Sequence, residues 1–333
     1  MMQELNYIRC GDYYIPDIRL PEENRPIGRW GRMHRDYIKE HNPIRFNDLC
    51  LSGELWTYLA DLNEQAQSRL EHLTVKSEIL GKEKVYSVYL PDGYDKGNDR
   101  YPVLYLLHGA WGNHKSWNRD GGGEQPRITD EMIAAGKAVK MIVVMPDATG
   151  IGPRRGGKNM GYFNVRDWAY EDFFFQEFIP HIDKTFRTIA TKDGRAIAGL
   201  SMGGGGSVVY AQRHPDMFNA CYSTSGLLDH RYRAVSKIST NPDEIEWLWS
   251  VSQTSPVEYL RYATPEILEQ LRTVRWMLDC GDDDSLIQTN LDFFSEMKHG
   301  NVPVEFRIRD GVHDWKFWRE ALPLILEFSF KKE

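Results

Sequence analysis

Short apolar runs alternating with longer amphipathic stretches make up this chain from about residue 73 onward. Val103–Leu107, Met141–Met145 and Ala196–Leu200 are almost wholly apolar, which suits strands buried on both faces. Val85–Leu90, Val274–Leu278 and Val304–Ile308 are further strand candidates, the first ended by Pro91-Asp92-Gly93. Between and after them, Thr129–Ala135, Asp172–Phe186, Gly203–Arg213, Leu286–His299 and Trp315–Phe328 read as helices. Thr129 or Asp130 is placed to cap the first of these, and Pro180 predicts a kink in the second. Strands separated by helices predict an α/β fold with a mostly parallel sheet.

The first 72 residues follow another pattern. Pro16, Pro21 and Pro26 break up the start. Leu55, Tyr58, Leu59, Leu62, Ala66 and Leu70 recur at helical spacing, so residues 54–72 predict an amphipathic helix. Gly28–His41 predicts another, with Trp30, Met33, Tyr37 and Ile38 on its apolar side. The expected organisation is therefore a helical segment over 1–72 and one larger domain over 73–333.

Composition narrows the function classes. Of 333 residues, 41 are Lys or Arg and 48 are Asp or Glu, a net charge of −7. Residues 1–72 hold nine basic and twelve acidic side chains, so the cluster Arg29, Arg32 and Arg35 reads as a solvated helix face. Neither part carries the positive excess of a nucleic-acid binder. No run of about 18 apolar residues predicts a membrane span. The start, Met1-Met2-Gln3-Glu4-Leu5-Asn6, lacks a basic stretch followed by an apolar one, which argues for a cytoplasmic protein. Cys10, Cys50, Cys221 and Cys280 form no C-x-x-C pair and suggest no zinc site. Reduced thiols are expected, with a Cys10–Cys50 disulfide as the alternative.

The sharpest chemical signal is Gly199-Leu200-Ser201-Met202-Gly203, set between an apolar strand and a helix pattern. A serine on such a tight strand-to-helix turn stands clear of the sheet edge, where its hydroxyl can act as a nucleophile. A structural glycine-rich turn is the competing reading. A serine nucleophile needs a base, and the base needs an acid to orient it. Four histidines follow: His214 and His299 stand at helix ends, His230 in a polar loop, and His313 between the last strand and last helix. That last position is where a base should arrive. The acid should follow a strand between Ser201 and His313. Asp279, Asp282, Asp283 and Asp284 compete there, and spacing favours Asp284, at the loop exit, only slightly. Met202 and Ala110, the latter in Leu107-His108-Gly109-Ala110-Trp111-Gly112, are the candidate backbone donors to an oxyanion. No metal or organic cofactor is required by such chemistry.

Around these motifs residues 75–330 resemble the esterase D-like serine esterases, which include the feruloyl esterases of carbohydrate esterase family 1. The resemblance rests on Val88-Tyr89-Leu90-Pro91, Tyr101–Gly109, Gly199–Gly204, His214-Pro215-Asp216-Met217-Phe218, Cys280-Gly281-Asp282-Asp283-Asp284 and Gly311-Val312-His313-Asp314-Trp315. It implies an α/β-hydrolase fold, a Ser201–His313–Asp284 triad through the family's C-G-x-x-D pattern, and oxyanion donors near Ala110 and Met202. It also implies feruloyl, acetyl or short-chain acyl esters, or S-formylglutathione, as substrates. The Gly199-Leu200-Ser201 form looks more like the feruloyl and short-acyl esterases. Glu4-Leu5-Asn6-Tyr7, Gly11–Pro16, Leu20-Pro21-Glu22-Glu23 and Gly31–Arg35 resemble the transposon-encoded family TnpV, which carries no activity over.

On the substrate side, Asn241–Leu260 interrupts the pattern and places a lid-like insertion at about 230–265. Its Trp247 and Trp249, with Trp111, Trp117 and Tyr162, are candidate substrate-binding residues; simple anchoring in the core is the alternative. Arg154-Arg155-Gly156-Gly157-Lys158 reads as a solvated loop. The expectation is a serine esterase acting on a hydroxycinnamoyl ester, small or on an oligosaccharide. Its rivals are an acetyl or short-chain esterase, an S-formylglutathione hydrolase-like enzyme, an acyl transferase to a sugar, and a non-catalytic interaction protein. Self-association through the N-terminal helices is the one protein partner suggested.

Overall fold

The computed structural model describes residues 7–10, 12–16, 23–25, 27–68, 70–150, 161–165, 167–230 and 253–331. The chain forms two compact units, Met1–Glu71 and His72–Glu333.

In the first unit, strands β1 (Tyr7–Cys10) and β2 (Tyr13–Pro16) pair antiparallel. Helices α1 (Gly28–His41), α2 (Pro43–Leu51) and α3 (Leu55–Ser68) follow. The second of these is absent from the hydrophobic periodicity. It starts because Asn42 accepts the Arg45 N–H and Pro43 occupies the first turn, where a missing N–H costs nothing. Helices α1 and α3 cross closely: a Cβ on Gly31 would lie 2.6 Å from the Leu59 carbonyl oxygen. Ile38, Leu59 and Ala60 are buried, and His34 Nε2 meets the Tyr58 hydroxyl at 2.9 Å. The helix expected over 54–72 ends at Ser68 because Leu70 already belongs to a strand.

The second unit is built on an eight-stranded sheet. Its strands are β3 (Leu70–Ser77), β4 (Lys82–Tyr89), β5 (Val103–Leu107), β6 (Ile142–Pro146), β7 (Arg195–Leu200), β8 (Ala220–Thr224), β9 (Arg275–Gly281) and β10 (Glu305–Arg309). They lie in the order β10-β9-β8-β7-β5-β6-β4-β3. The pairings from β10 across to β6 are parallel, and β4 runs antiparallel to β6. Every residue of β5, β6, β7 and β8 is buried, as continuous apolar runs require when helices cover both faces. The edge strand β10 is partly open to solvent instead, with Glu305, Arg307 and Ile308 exposed.

The helices are α4 (Gln125–Ala134), α5 (Tyr170–Phe173), α6 (Ile179–Thr185), α7 (Met202–Arg213), α8 (Pro256–Arg261), α9 (Pro265–Leu271), α10 (Ile287–His299) and α11 (Trp315–Ser329). Helix α4 starts four residues before Thr129, with Pro126 in its first turn. The helix expected over Asp172–Phe186 is α5 and α6 joined by a wide π-type turn, Phe174–Phe178. Pro180 has no N–H to give the preceding turn, and the ladder widens just before it. Tyr105, Tyr162, Phe174, Phe178 and Tyr210 fill the centre of the core.

Because β5, β7, β8, β9 and β10 are parallel, the loops that follow them leave one edge of the sheet. Ligand sites of open α/β sheets form at that edge. No helix among the described residues is long and apolar enough to cross a membrane.

Candidate active site

Ser201 is the residue between the end of β7 and the start of α7, and its backbone is at φ 54°, ψ −118°. This left-handed setting is costly for a residue with a Cβ and persists only where neighbours hold it. The holding bonds are present. The Ser201 N–H donates to the Thr224 carbonyl at 3.0 Å, and its own carbonyl accepts from Gly205 at 3.0 Å and Leu227 at 3.1 Å. The flanking glycines have a steric cause. A Cβ on Gly199 would sit 2.4 Å from the Gly203 carbonyl oxygen, and one on Gly203 would sit 2.6 Å from those of Leu107 and His108. The G-x-S-x-G pattern is therefore what lets the chain turn straight from strand into helix.

His313 lies in the loop between β10 and α11. Its Nε2 is 2.9 Å from Ser201 Oγ, and its Nδ1 is 2.8 and 3.0 Å from the two Asp284 carboxylate oxygens. A carboxylate only accepts, so Nδ1 carries the proton and Nε2 offers its lone pair to the Ser201 hydroxyl. Asp284 is 2% exposed. Burial by itself would raise its carboxyl, but the hydrogen bonds from His313 and the Leu286 N–H outweigh that and hold it below the usual range.

The four aspartates at the end of β9 and in the loop after it divide by partner. Asp279 is wholly buried and grips Arg309 with both oxygens, at 2.9 and 2.8 Å, while the Tyr222 hydroxyl donates to it at 3.1 Å. Asp282 accepts the Gly311 N–H at 3.1 Å and so ties the loop after β9 to the one after β10. Asp283 is exposed, with its N–H bound to the Gly311 carbonyl. Only Asp284 meets His313.

The loop after β5 reaches Ser201 from the other side: a Cβ on Gly109 would lie 3.4 Å from the Ser201 Cβ. The Gly109 carbonyl accepts from Gly112 at 3.1 Å and from His108 Nδ1 at 2.8 Å. In a trans peptide the C=O and N–H point opposite ways. Anchoring that carbonyl therefore turns the Ala110 N–H away from the loop. Met202 is the first residue of α7, so its N–H has no carbonyl a turn earlier within the helix. His108 accepts the Ala148 N–H on Nε2 at 3.0 Å, which makes it the neutral Nδ1–H tautomer, and burial pushes its pKa down.

The remaining sequence candidates separate clearly. Trp111 is 69% exposed and has φ 64°, beside Ala110. Trp117 and Tyr162, expected to bind substrate, are buried at 1% and 0% exposure. Their polar atoms hold the loop from below, Trp117 through the Leu107 carbonyl at 3.0 Å and Tyr162 through the His108 carbonyl at 2.9 Å. Their place is that of supports, which only the packing reveals. Trp247, Trp249 and the Arg154–Lys158 loop lie outside the described residues, as does the centre of the expected lid. His214 stacks on Phe175, His299 is exposed on α10, and His230 is buried against Thr254. Cys50, Cys221 and Cys280 are free thiols, so no Cys10–Cys50 bridge forms. Among the described residues no group of three or more His, Cys, Asp or Glu is arranged to hold a metal. Sequence reading gave no role to Trp315 and Trp318, two and five residues beyond His313; a tryptophan pair one turn apart after the base was the available signal.

The same loop carries His114, whose Nδ1 and that of His72 both lie 2.9 Å from the buried Ser87 hydroxyl. Burial, with His72 and Lys115 adding to it against Asp147, lowers the His114 pKa from 6.5 to about 4. The unfolded chain takes up this proton below about pH 6.5, the folded chain only near 4, so stability falls as pH drops through that window. Allowing for screening of a half-exposed ring, the contribution is about 1–2 kcal/mol. Thermal melts between about pH 7 and 4.5 are expected to show a falling midpoint, and His114→Asn a shallower fall. An unchanged slope in the variant would exclude His114 as its source.

Comparison with known proteins adds relatives to this geometry. Residues 77–328 match the family model described as putative esterase, and residues 6–87 match that of transposon-encoded protein TnpV. An endo-1,4-beta-xylanase/feruloyl esterase of Xylanibacter ruminicola is 40% identical over 84% of this chain, which spans 33% of that relative's length. A solved ferulic acid esterase is 40% identical, with a TM-score of 0.72 over 79% of this chain and 98% of its own. An S-formylglutathione hydrolase of Staphylococcus aureus, 20% identical with a TM-score of 0.63 over 79% of this chain and 99% of its own, shares the fold. The fold is the α/β hydrolase expected.

Proposed function

We propose, from the premise that this chain belongs to the putative esterase family, that it is a serine carboxylic-ester hydrolase cleaving hydroxycinnamoyl esters such as ferulate esters. The observation that carries the reaction is the continuous hydrogen-bonded chain from Ser201 through His313 to Asp284 at the open end of the sheet. Ser201 Oγ attacks the ester carbonyl while His313 Nε2 takes its proton. Asp284 keeps the imidazole in the tautomer that can accept and stabilises the imidazolium that forms. The Ala110 and Met202 N–H groups receive the developing oxyanion, a role in which one donor is worth about 10²–10³ in rate. His313 then protonates the leaving alcohol, and water cleaves the acyl-enzyme by the same route.

The acyl preference rests on the two feruloyl-type relatives at 40% identity and on an exposed tryptophan, Trp111, beside the proposed oxyanion donor. An aromatic face there suits a phenolic ring. A second reading, a short-acyl esterase, is supported by an acetyl esterase of Caldicellulosiruptor saccharolyticus that is 22% identical over 71% of this chain. The deciding measurement is kcat/KM for methyl ferulate, acetylated xylan, p-nitrophenyl acetate and S-formylglutathione. Methyl ferulate is expected to lead by about tenfold or more, a difference of about 1.4 kcal/mol. A lead for the acetyl or formyl substrate would replace the feruloyl reading.

A further inference from the structure

His313 sits in a loop, so neither helix nor strand holds its backbone. Its hydrogen bonds, one to Ser201 and a forked one to Asp284, are made at the ring nitrogens and leave rocking of the ring plane unopposed. The structure supplies a wall. Trp318, from the first turn of α11, stands T-shaped against the imidazole with centroids 4.9 Å apart and planes at 89°. Trp318 is in turn wedged by Trp315, at 5.3 Å and 86°, and Trp315 by Trp117, at 5.5 Å and 89°. Trp117 is pinned to the Leu107 carbonyl at 3.0 Å, at the root of the loop that carries Ala110. Arg319, next to Trp318, donates to the Gly122 carbonyl at 2.7 Å and ties α11 to the same loop.

We propose that Trp318 is a positioning residue for the base: its ring, braced by Trp315 and Trp117, holds the His313 imidazole in line with Ser201 Oγ and couples it to the loop bearing Ala110. This rests on the reading of the chain as a serine esterase. One further observation favours a role for the ring itself. Trp318 is 8% exposed, and among the described residues its indole N–H has no hydrogen-bond partner. An unpaired buried donor is a cost that phenylalanine would avoid. The contact with the imidazole is therefore made by the ring itself and not through its N–H. Reacting groups held about 1 Å out of place can lose on the order of 100-fold in rate.

The test uses the full chain and a fluorophosphonate probe, with methyl ferulate turnover measured alongside. The end-point of labelling counts competent molecules, and its rate reports the activation of Ser201. Trp318→Leu is expected to slow labelling and kcat together by about 10- to 100-fold per labelled molecule, with KM within about twofold. Trp318→Phe should restore most of the lost rate. Trp318→Met, which fills the space without a planar face, takes the place of the leucine variant if that one does not fold. Wild-type rates in the leucine or methionine variant overturn the proposal, and so does a phenylalanine variant as slow as they are. A wild type that the probe never labels overturns the esterase reading and this one with it.

Discussion

Ser201→Ala is expected to cut turnover of methyl ferulate by roughly 10⁶-fold and to abolish fluorophosphonate labelling. Alanine keeps the Cβ, so the left-handed backbone at φ 54° and its three hydrogen bonds need not change. What goes is the hydroxyl that His313 Nε2 meets at 2.9 Å. The residual rate should still exceed that in water, because the backbone donors and the bound geometry remain; together these are worth about 10³–10⁴. Kinetics on purified variant and parent, with circular dichroism to show equal folding, would check this. Equal labelling of the two proteins would dismiss Ser201 as the nucleophile, whatever the turnover.

The second large effect separates two aspartates five residues apart. Asp284→Asn should lower kcat by about 10⁴-fold. An asparagine amide can donate to the imidazole, which favours the tautomer with the proton on Nε2, and that tautomer cannot accept from Ser201. Folding should be little affected, since the side-chain oxygen can still accept the Leu286 N–H, now 2.8 Å from Asp284 Oδ1. Asp279→Asn should do the reverse. It breaks a buried two-pronged pair with Arg309 and disturbs the bond from Tyr222, a loss of about 3–5 kcal/mol in stability. Activity per folded molecule should stay within a few-fold of the parent. Denaturant midpoints and kcat measured on the same preparations give the cross-comparison. If Asp279→Asn were stable but inactive and Asp284→Asn active, the assignment of the acid would have to move.

These two residues also mark how far the chain's order of residues could be read. Ser201 stands out because its glycines answer crowding at one turn, Gly199 against Gly203 and Gly203 against the end of β5, and that crowding falls at a fixed spacing around the serine. Buried parallel strands such as Val103–Leu107 are legible for the same reason: being covered on both faces forbids polar positions. His313 is found by its place after the last strand. The aspartates are not separable in this way. They crowd into the end of β9 and the short loop after it, and what distinguishes them is which side chain is brought opposite, Arg309 for Asp279 and His313 for Asp284.

Trp117 and Tyr162 make the same point about aromatics. Both read as binding residues, Trp117 beside the β5 loop and Tyr162 shortly after Arg154–Lys158, yet packing turns their rings inward and uses their polar atoms to brace the loop. Trp318 runs the other way, an unremarked helix residue that the crossing of α11 with the β10–α11 loop brings against the base. The helix expected to reach residue 72 stops at Ser68 because pairing in the sheet claims Leu70. By itself, then, the sequence determined the α/β alternation, the strand-to-helix turn with its serine, the position of the base, and Asp284 as its acid. Those follow from side-chain period, from backbone crowding at one turn and, for Asp284, from the C-G-x-x-D resemblance. Only the tertiary structure decided what each of the other aspartates meets and which aromatic rings turn inward as supports. Those depend on partners brought in from distant parts of the chain, Arg309 for Asp279 and His108 for Tyr162, and the spacing around each residue does not record which partner arrives.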